Sequence, residues 1–519
     1  MASLSDCVTC RSRRIKCDRS LPGCQRCIKS NRICIVQTRP GQGKTLTRCK
    51  ASKSLPSYIP RNVRSGFTSH HLMLQWRSAR PPQMQDAIDY FLRNFVFDAR
   101  NLSGLVGGKS IEMFDIVPDE RGPGRTVVEV LDALTDGLLV IRAASLQTIE
   151  GRRKLHVKYR KAMGEVRESI SLYPNSRALI APIYLFALYE MIVNTSLADR
   201  TWQTHLNGML AMIQHNHNTG GNRMPTEDNM SAARQFALSE ETPDIQEFFS
   251  LRPQMDSIEK AWLLLDVTKA RLRKLVTSMD HFSAVDNPNS VVTIKKIDVE
   301  KLRVSVKRIQ RDLRLITNLL PKKYHPVMIP KTTGCDIASG LPSTCNGYYG
   351  ESYPDNFLCT RWNEYRTLIL ITGDFLLKTG RFLYAGTSRP NGRETTTLTR
   401  MMKEAIDGIY ASVAYLYDDS KMRITGQKEA DVDSAWINTS SMKTLDALNL
   451  MWPLHCAVAM EFGATKAQRD WMKKVLQYMG CKMRIPKAMS LADTPIQAFT
   501  YSEVLAGLTL LGAGVLRSV

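Results

Sequence analysis

Six cysteines, Cys7, Cys10, Cys17, Cys24, Cys27 and Cys34, fall within 28 residues at the spacing C-x2-C-x6-C-x6-C-x2-C-x6-C. The second trio is the first displaced by 17 residues, so the segment is a short internal repeat of two similar halves. Two thiolates at C-x2-C spacing can share one metal ion, because the turn between them brings the sulfurs to neighbouring corners of a tetrahedron. The third cysteine of each half, seven residues further on, closes that half. Two tetrahedral ions need eight ligand positions, and six sulfurs supply eight when two of them bridge. Stoichiometry therefore predicts a two-metal thiolate cluster. A one-metal, four-thiolate site with two spare cysteines, an iron–sulfur site and a set of disulfides are the other readings of these residues. Ferredoxin spacings differ from this one. Disulfides belong to oxidising compartments, whereas no apolar run precedes Cys7 as a secretory leader would require.

Between Cys10 and Cys17 lies Arg11-Ser12-Arg13-Arg14-Ile15-Lys16, a segment without Gly or Pro in which four of six residues are cationic. It suits one or two helical turns clamped at both ends by metal ligands. Such a turn can enter a major groove and present guanidinium forks to guanine O6 and N7. Arg26, Lys29 and Arg32 of the second half suit phosphate contacts. The competing reading of the basic run is a solvated face or a nuclear localisation signal. About 28 residues carrying only Val8, Ile15, Leu21, Ile28 and Ile33 as aliphatic anchors cannot fold alone. Metal must supply the stability, and a closed structural site leaves no position open for catalysis.

The stretch CVTCRSRRIKCDRSLPGCQRCIKSNRIC, with Asp18 directly after the third cysteine and Pro22 two residues before the fourth, resembles the DNA-binding domain of fungal zinc binuclear cluster transcription factors. The resemblance implies two structural zinc ions bridged by Cys7 and Cys24. One would be held by Cys7, Cys10, Cys17 and Cys24, the other by Cys7, Cys24, Cys27 and Cys34. In that family a lysine pair three and four positions after the second cysteine reads the bases. Arg13 and Arg14 occupy those positions here, so the resemblance makes Arg14 the first base contact, with Arg13 assisting and Arg11, Lys16 and Arg19 on the DNA backbone. Arginine for lysine keeps a guanine preference while changing shape and reach. The implied partners are double-stranded DNA with CGG-type half-sites and the transcriptional machinery or its coactivators. The implied location is the nucleus, and metabolic or biosynthetic genes are the usual targets.

The elements that must carry this module follow it. Residues 35–82 are rich in Ser, Thr, Pro, Gly and Arg, with no acidic residue from 35 to 80, and read as a basic flexible linker. Gly41-Gln42-Gly43-Lys44-Thr45 is not a phosphate loop, since position 38 is Thr and no apolar strand precedes it. The linker has no heptads. Residues 83–519 show 3.6-residue periodicity, for example over 127–147, 177–193, 202–215 and 258–276, broken near 118–124, 216–225, 287–290, 321–350 and 389–392. The expected fold class is thus a small zinc-stabilised binuclear cluster module followed by a large all-α domain. Val299, Leu302, Val306, Ile309, Leu313, Ile316 and Leu320 form a three-heptad seam that serves either a homodimer or the packing of a helix on its own domain. The tail from Val504 to Leu516, the most apolar of the chain, reads as a buried helix too short to span a membrane, and no run approaches the ~18 apolar residues a span needs. A soluble, unsecreted protein is expected.

The segment Thr201-Trp202-Gln203-Thr204-His205-Leu206-Asn207-Gly208-Met209-Leu210 resembles, more weakly, the fungus-specific regulatory domain of the same factors, which restrains or transmits activity. Trp202 and His205 by themselves are ordinary core or cap residues. No enzyme is expected: H-E-x-x-H, a serine elbow and a dinucleotide fingerprint are all missing, and Asp418-Asp419-Ser420-Lys421 fails as an aspartate-rich metal motif. His215 and His217 fall on opposite sides of a helix end. Cys49, Cys335, Cys345, Cys359, Cys456 and Cys481 lack ligand spacing and read as buried or surface thiols. Residues 238–249, LSEETPDIQEFF, have the acidic-aromatic composition of an activation motif, against the reading of a solvated loop entering a helix.

The chain of 519 residues carries a net charge of +22. Residues 1–80 hold 17 Lys and Arg against Asp6 and Asp18, so +15 of that charge sits there. A nearly balanced body is thus expected behind a basic, metal-built DNA reader. The alternative to that reader is a zinc-module scaffold or ligand-sensing protein that binds protein or RNA instead of duplex DNA.

Overall fold

In the computed structural model, residues 10, 15–18, 126, 130, 149–174, 176, 179–193, 201–218, 256–285, 295–329, 350–384, 392–417, 444–481 and 483–514 are described. The chain separates into two compact units, Met1–Ser65 and Gly66–Val519. The expected linker 35–82, the motif at 238–249, Cys49, Cys335, Cys345 and Asp418–Asp419 lie outside the described residues.

Alternating polar and apolar positions at helical spacing build α1 (Ile149–Leu172), α2 (Ile180–Val193), α3 (Thr201–Asn218), α4 (Ser257–Val285) and α5 (Lys296–Leu319). Beyond a short hairpin come α6 (Asn356–Leu383), α7 (Gly392–Tyr417), α8 (Thr444–Ala459), α9 (Lys466–Cys481), α10 (Pro486–Asp493) and α11 (Tyr501–Gly514). Their starts are written in the sequence. Asp256 accepts from the amides of Ile258 (2.8 Å) and Glu259 (2.7 Å) while Glu259 accepts from Asp256 N–H (3.2 Å), a reciprocal capping box that opens α4. Thr465 and Gln468 form the same box before α9. Asp355 caps α6 through Leu358 N–H at 2.8 Å.

The heptad seam lies inside the chain's own core. Val299, Val306, Ile309, Leu313, Ile316 and Leu320 are buried, and α5 packs on α4 and α6. The face that a homodimer would have used is therefore occupied. Helices α4, α5, α7 and α8 all pack on α6, of whose 28 residues 21 are buried. Helix α11 lies on α2, α4 and α8 as the expected buried C-terminal helix. It approaches α8 closely because Gly507 has no Cβ: one built there would stand 2.2 Å from the Trp452 ring.

The all-α expectation needs one correction. β1 (Val327–Ile329) pairs antiparallel with β2 (Gly350–Ser352), Val327 facing Ser352, Met328 facing Glu351 and Ile329 facing Gly350. The hairpin inverts the usual pattern: Val327 and Met328 are exposed and the Glu351 carboxylate is buried. The carboxylate ties β2 to α6, while the two strands pair through their backbones. Glu351 Oε1 accepts from Arg366 Nη2 at 2.7 Å, Glu351 Oε2 accepts from the Tyr353 hydroxyl, and Arg366 Nη1 donates to Tyr353 Oη at 2.7 Å.

Candidate metal centre and nucleic-acid face

Of the sequence-identified site residues, Cys10, Lys16 and Cys17 are described. Cys10 is helical and fully buried, and its carbonyl accepts from Ile15 N–H at 3.1 Å. Cys17 is 6% exposed. Lys16 and Asp18 on either side of it are exposed, and Ile15 is half-buried. The alternation turns the thiol-bearing positions inward and the charged positions outward. Cys7, Cys24, Cys27, Cys34, Arg11, Arg13, Arg14 and Arg19 lie outside the described residues, as do Arg26, Lys29 and Arg32.

This arrangement fits zinc. The donor set is thiol sulfur alone, which suits a borderline-soft ion in closed tetrahedral sites. The two described cysteines, Cys10 and Cys17, are withdrawn from water in a segment too poor in apolar residues to bury them for their own sake. Among the described residues no group of three or more His, Cys, Asp or Glu could hold a metal ion, so the helical body offers no competing centre there. Burial pushes the thiols of Cys359 and Cys456 up, which keeps them protonated and poor as ligands. Cys481 is exposed. His215 is exposed and shares α3 with His217.

The second motif region is α3. Trp202 is a core residue, 5.8 Å from the ring of Trp452. His205 does more than sequence reading gave it: its Nε2 lies 3.3 Å from Glu190 Oε1, which also accepts from the Tyr159 hydroxyl. Burial alone would raise the Glu190 pKa, but hydrogen bonds from His205, Tyr159 and Thr201 outweigh it and hold the carboxylate below its usual range. The cluster joins α1, α2 and α3. Nothing in the spacing of residues 159, 190 and 205 signals it.

Residues 6–43 match the fungal Zn(2)-Cys(6) binuclear cluster domain. Domains of this family are typically those of DNA-binding transcription factors, and they are regulatory, not enzymatic. The match includes all six cysteines and all five cations assigned to DNA, and extends nine residues past Cys34. No curated protein and no solved structure matches the chain. No helix among the described residues is long and apolar enough to cross a membrane.

Proposed function

We propose that the chain is a nuclear, sequence-specific regulator of RNA polymerase II transcription in which a binuclear zinc module reads DNA and the helical body governs its output. The observation that carries this reading is the six-cysteine repeat enclosing the basic run Arg11 to Lys16, within the match at residues 6–43. Zinc held by Cys7, Cys10, Cys17 and Cys24, and by Cys7, Cys24, Cys27 and Cys34, supplies the fold that so few apolar residues cannot. Arg14 reads a guanine edge with help from Arg13, where a bidentate pair discriminates by ~1–3 kcal/mol. Arg11, Lys16 and Arg19 neutralise phosphates. The outward placement of Lys16 beside the buried Cys17 supports that division of labour. Metabolic or biosynthetic genes are the targets and coactivators the partners on the output side. Because α5 buries its seam within its own chain, the seam lends no support to a homodimer.

The test is a binding titration of the full chain against duplexes with and without CGG triplets, with and without a zinc chelator, at several salt concentrations. Zinc-dependent preference for CGG is expected. Lys16→Ala should flatten the slope of log K against log salt by ~0.9, and Arg14→Ala should relax base preference without much change in that slope. An Arg14→Ala protein with undiminished discrimination removes the base-reading assignment. Zinc-dependent binding of RNA or protein in place of duplex overturns the function itself.

A further inference from the structure

Helices α5 and α7 both pack on α6, and between them lies a groove of about 560 Å³ lined by Val304, Lys307, Gln310, Arg311, Arg314, Arg393, Glu394, Thr397 and Leu398. Four cations face one carboxylate there, a net charge of +3. The carboxylate is already neutralised: Glu394 Oε1 lies 2.9 Å from Arg303 Nη2 and 2.8 Å from Lys307 Nζ. Arg314 Nη2 reaches Met401 Sδ at 3.6 Å. Arg311 and Arg393 are exposed, and among the described residues neither has a carboxylate within 4.0 Å. A second feature points to a ligand. Gln310 is only 6% exposed, yet its Nε2 has no hydrogen-bond partner, and a buried amide donor facing a groove calls for an acceptor there.

We propose that this groove binds a small organic polyanion, a metabolite carrying two or more phosphate or carboxylate groups, with Arg311, Arg314 and Arg393 on its oxygens and the Gln310 amide as the buried donor. The volume exceeds that of a single inorganic ion and lies within the ~300–1,000 Å³ usual for small-molecule sites. Val304 and Leu398 give the carbon skeleton apolar surface to rest on. Planar guanidinium forks match carboxylate and phosphate oxygens in pairs. The site lies wholly on the helical body and does not depend on the DNA-reading module.

The experiment is calorimetric titration of the full, zinc-loaded chain with citrate and with pyrophosphate, in enough salt to screen the basic N-terminal residues. Amide hydrogen exchange is followed across 303–314 and 392–401. Saturable binding with protection of both segments is expected. The double variant Arg311→Glu, Arg393→Glu, altered at two exposed positions, should bind at least tenfold more weakly while keeping its CGG binding. Gln310→Met, close in size, should weaken binding severalfold without lowering Tm, whereas a purely structural glutamine would lower Tm and leave affinity alone. Lys44→Glu with Lys50→Glu should leave the affinity unchanged. Equal affinity of the wild type and the Arg311/Arg393 variant overturns the proposal, as does failure of both probes to bind saturably up to about 10 mM. So does an Arg311/Arg393 variant whose only defect is weaker non-specific duplex binding, which would give the groove to the DNA backbone.

Discussion

The zinc-cluster segment and the helical body bury polar atoms for opposite reasons. Among the described residues of 7–34 the buried side chains are the thiols of Cys10 and Cys17, while Lys16 and Asp18 beside Cys17 face water. In the body, charges are buried in order to be paired with one another. Arg361 Nη1 lies 2.7 Å from Glu364 and 3.0 Å from Asp266, Lys269 reaches Glu364 at 3.3 Å, and Lys378 and the Tyr501 hydroxyl meet Asp374 at 2.8 and 2.5 Å. On the proposed reading one region takes its stability from an external ion, the other from side-chain partners within a large apolar core. They should therefore fail separately.

Chelation gives the largest separation. Removing zinc, or replacing Cys17 with Ala, should unfold the module, where structural zinc contributes ~10–16 kcal/mol, and abolish CGG binding. The body's cooperative thermal transition, followed by helical circular dichroism, should stay in place. A body transition that falls with chelation would break the comparison. The converse is Glu351→Ala, which strands Arg366 without its buried partner and should cost the body about 3–5 kcal/mol. Zinc uptake should be unaffected, as read by metal analysis of the variant.

Acid sharpens the contrast. Burial is the main reason the His455 pKa falls to about 4, against smaller opposing effects of Glu503 and the Leu491 carbonyl and a reinforcing one of Lys487. With a folded pKa below the unfolded value, the unfolded chain binds the extra proton first. This stabilisation is present above pH ~6.5 and is lost as pH falls towards 4, by about 3 kcal/mol. Denaturant titrations of the body across that window should show the slope, and His455→Gln should remove it. The smallest effect is steric. Gly507→Ala should cost the body about 1–3 kcal/mol through overpacking against Trp452, visible as a lower Tm with DNA binding intact.

The cysteine repeat that the domain match covers was legible because it is local: residues at fixed short spacings define a candidate cluster without knowledge of anything distant. The seam from Val299 to Leu320 was legible for the same reason, since one helix face repeats at one period. Helix α8 was not singled out. Every residue from Thr444 to Ala459 is buried and Pro453 lies within it, so it has no polar face to set a phase. The run Arg361-Trp362-Asn363-Glu364-Tyr365-Arg366 would pass for a solvated face, yet its charges are buried against partners 95 residues away, Lys269 and Asp266, or 15 residues away, Glu351. The hairpin was missed because its exposed residues are apolar and its anchor is a carboxylate. For Arg361 and Glu364 the deciding partners lie 95 residues back along the chain, where periodicity carries no information.

The cap of α11 sets an order in time. Both carboxylate oxygens of Asp280 accept amides from that helix, from Tyr501 N–H at 2.7 Å and Ser502 N–H at 3.0 Å, across more than 220 residues of sequence. At ~5–20 residues per second of synthesis, Asp280 emerges roughly 10–45 s before the backbone it will hold. Over that interval α4 lacks the helix that packs on it. On the proposed reading the six-cysteine segment needs nothing from that late arrival and would take up its ions as soon as Cys34 clears the ribosome. The nascent chain on that reading passes through a stage in which its zinc module is complete and its helical body is still an exposed apolar surface, the stage at which chaperones have most to hold.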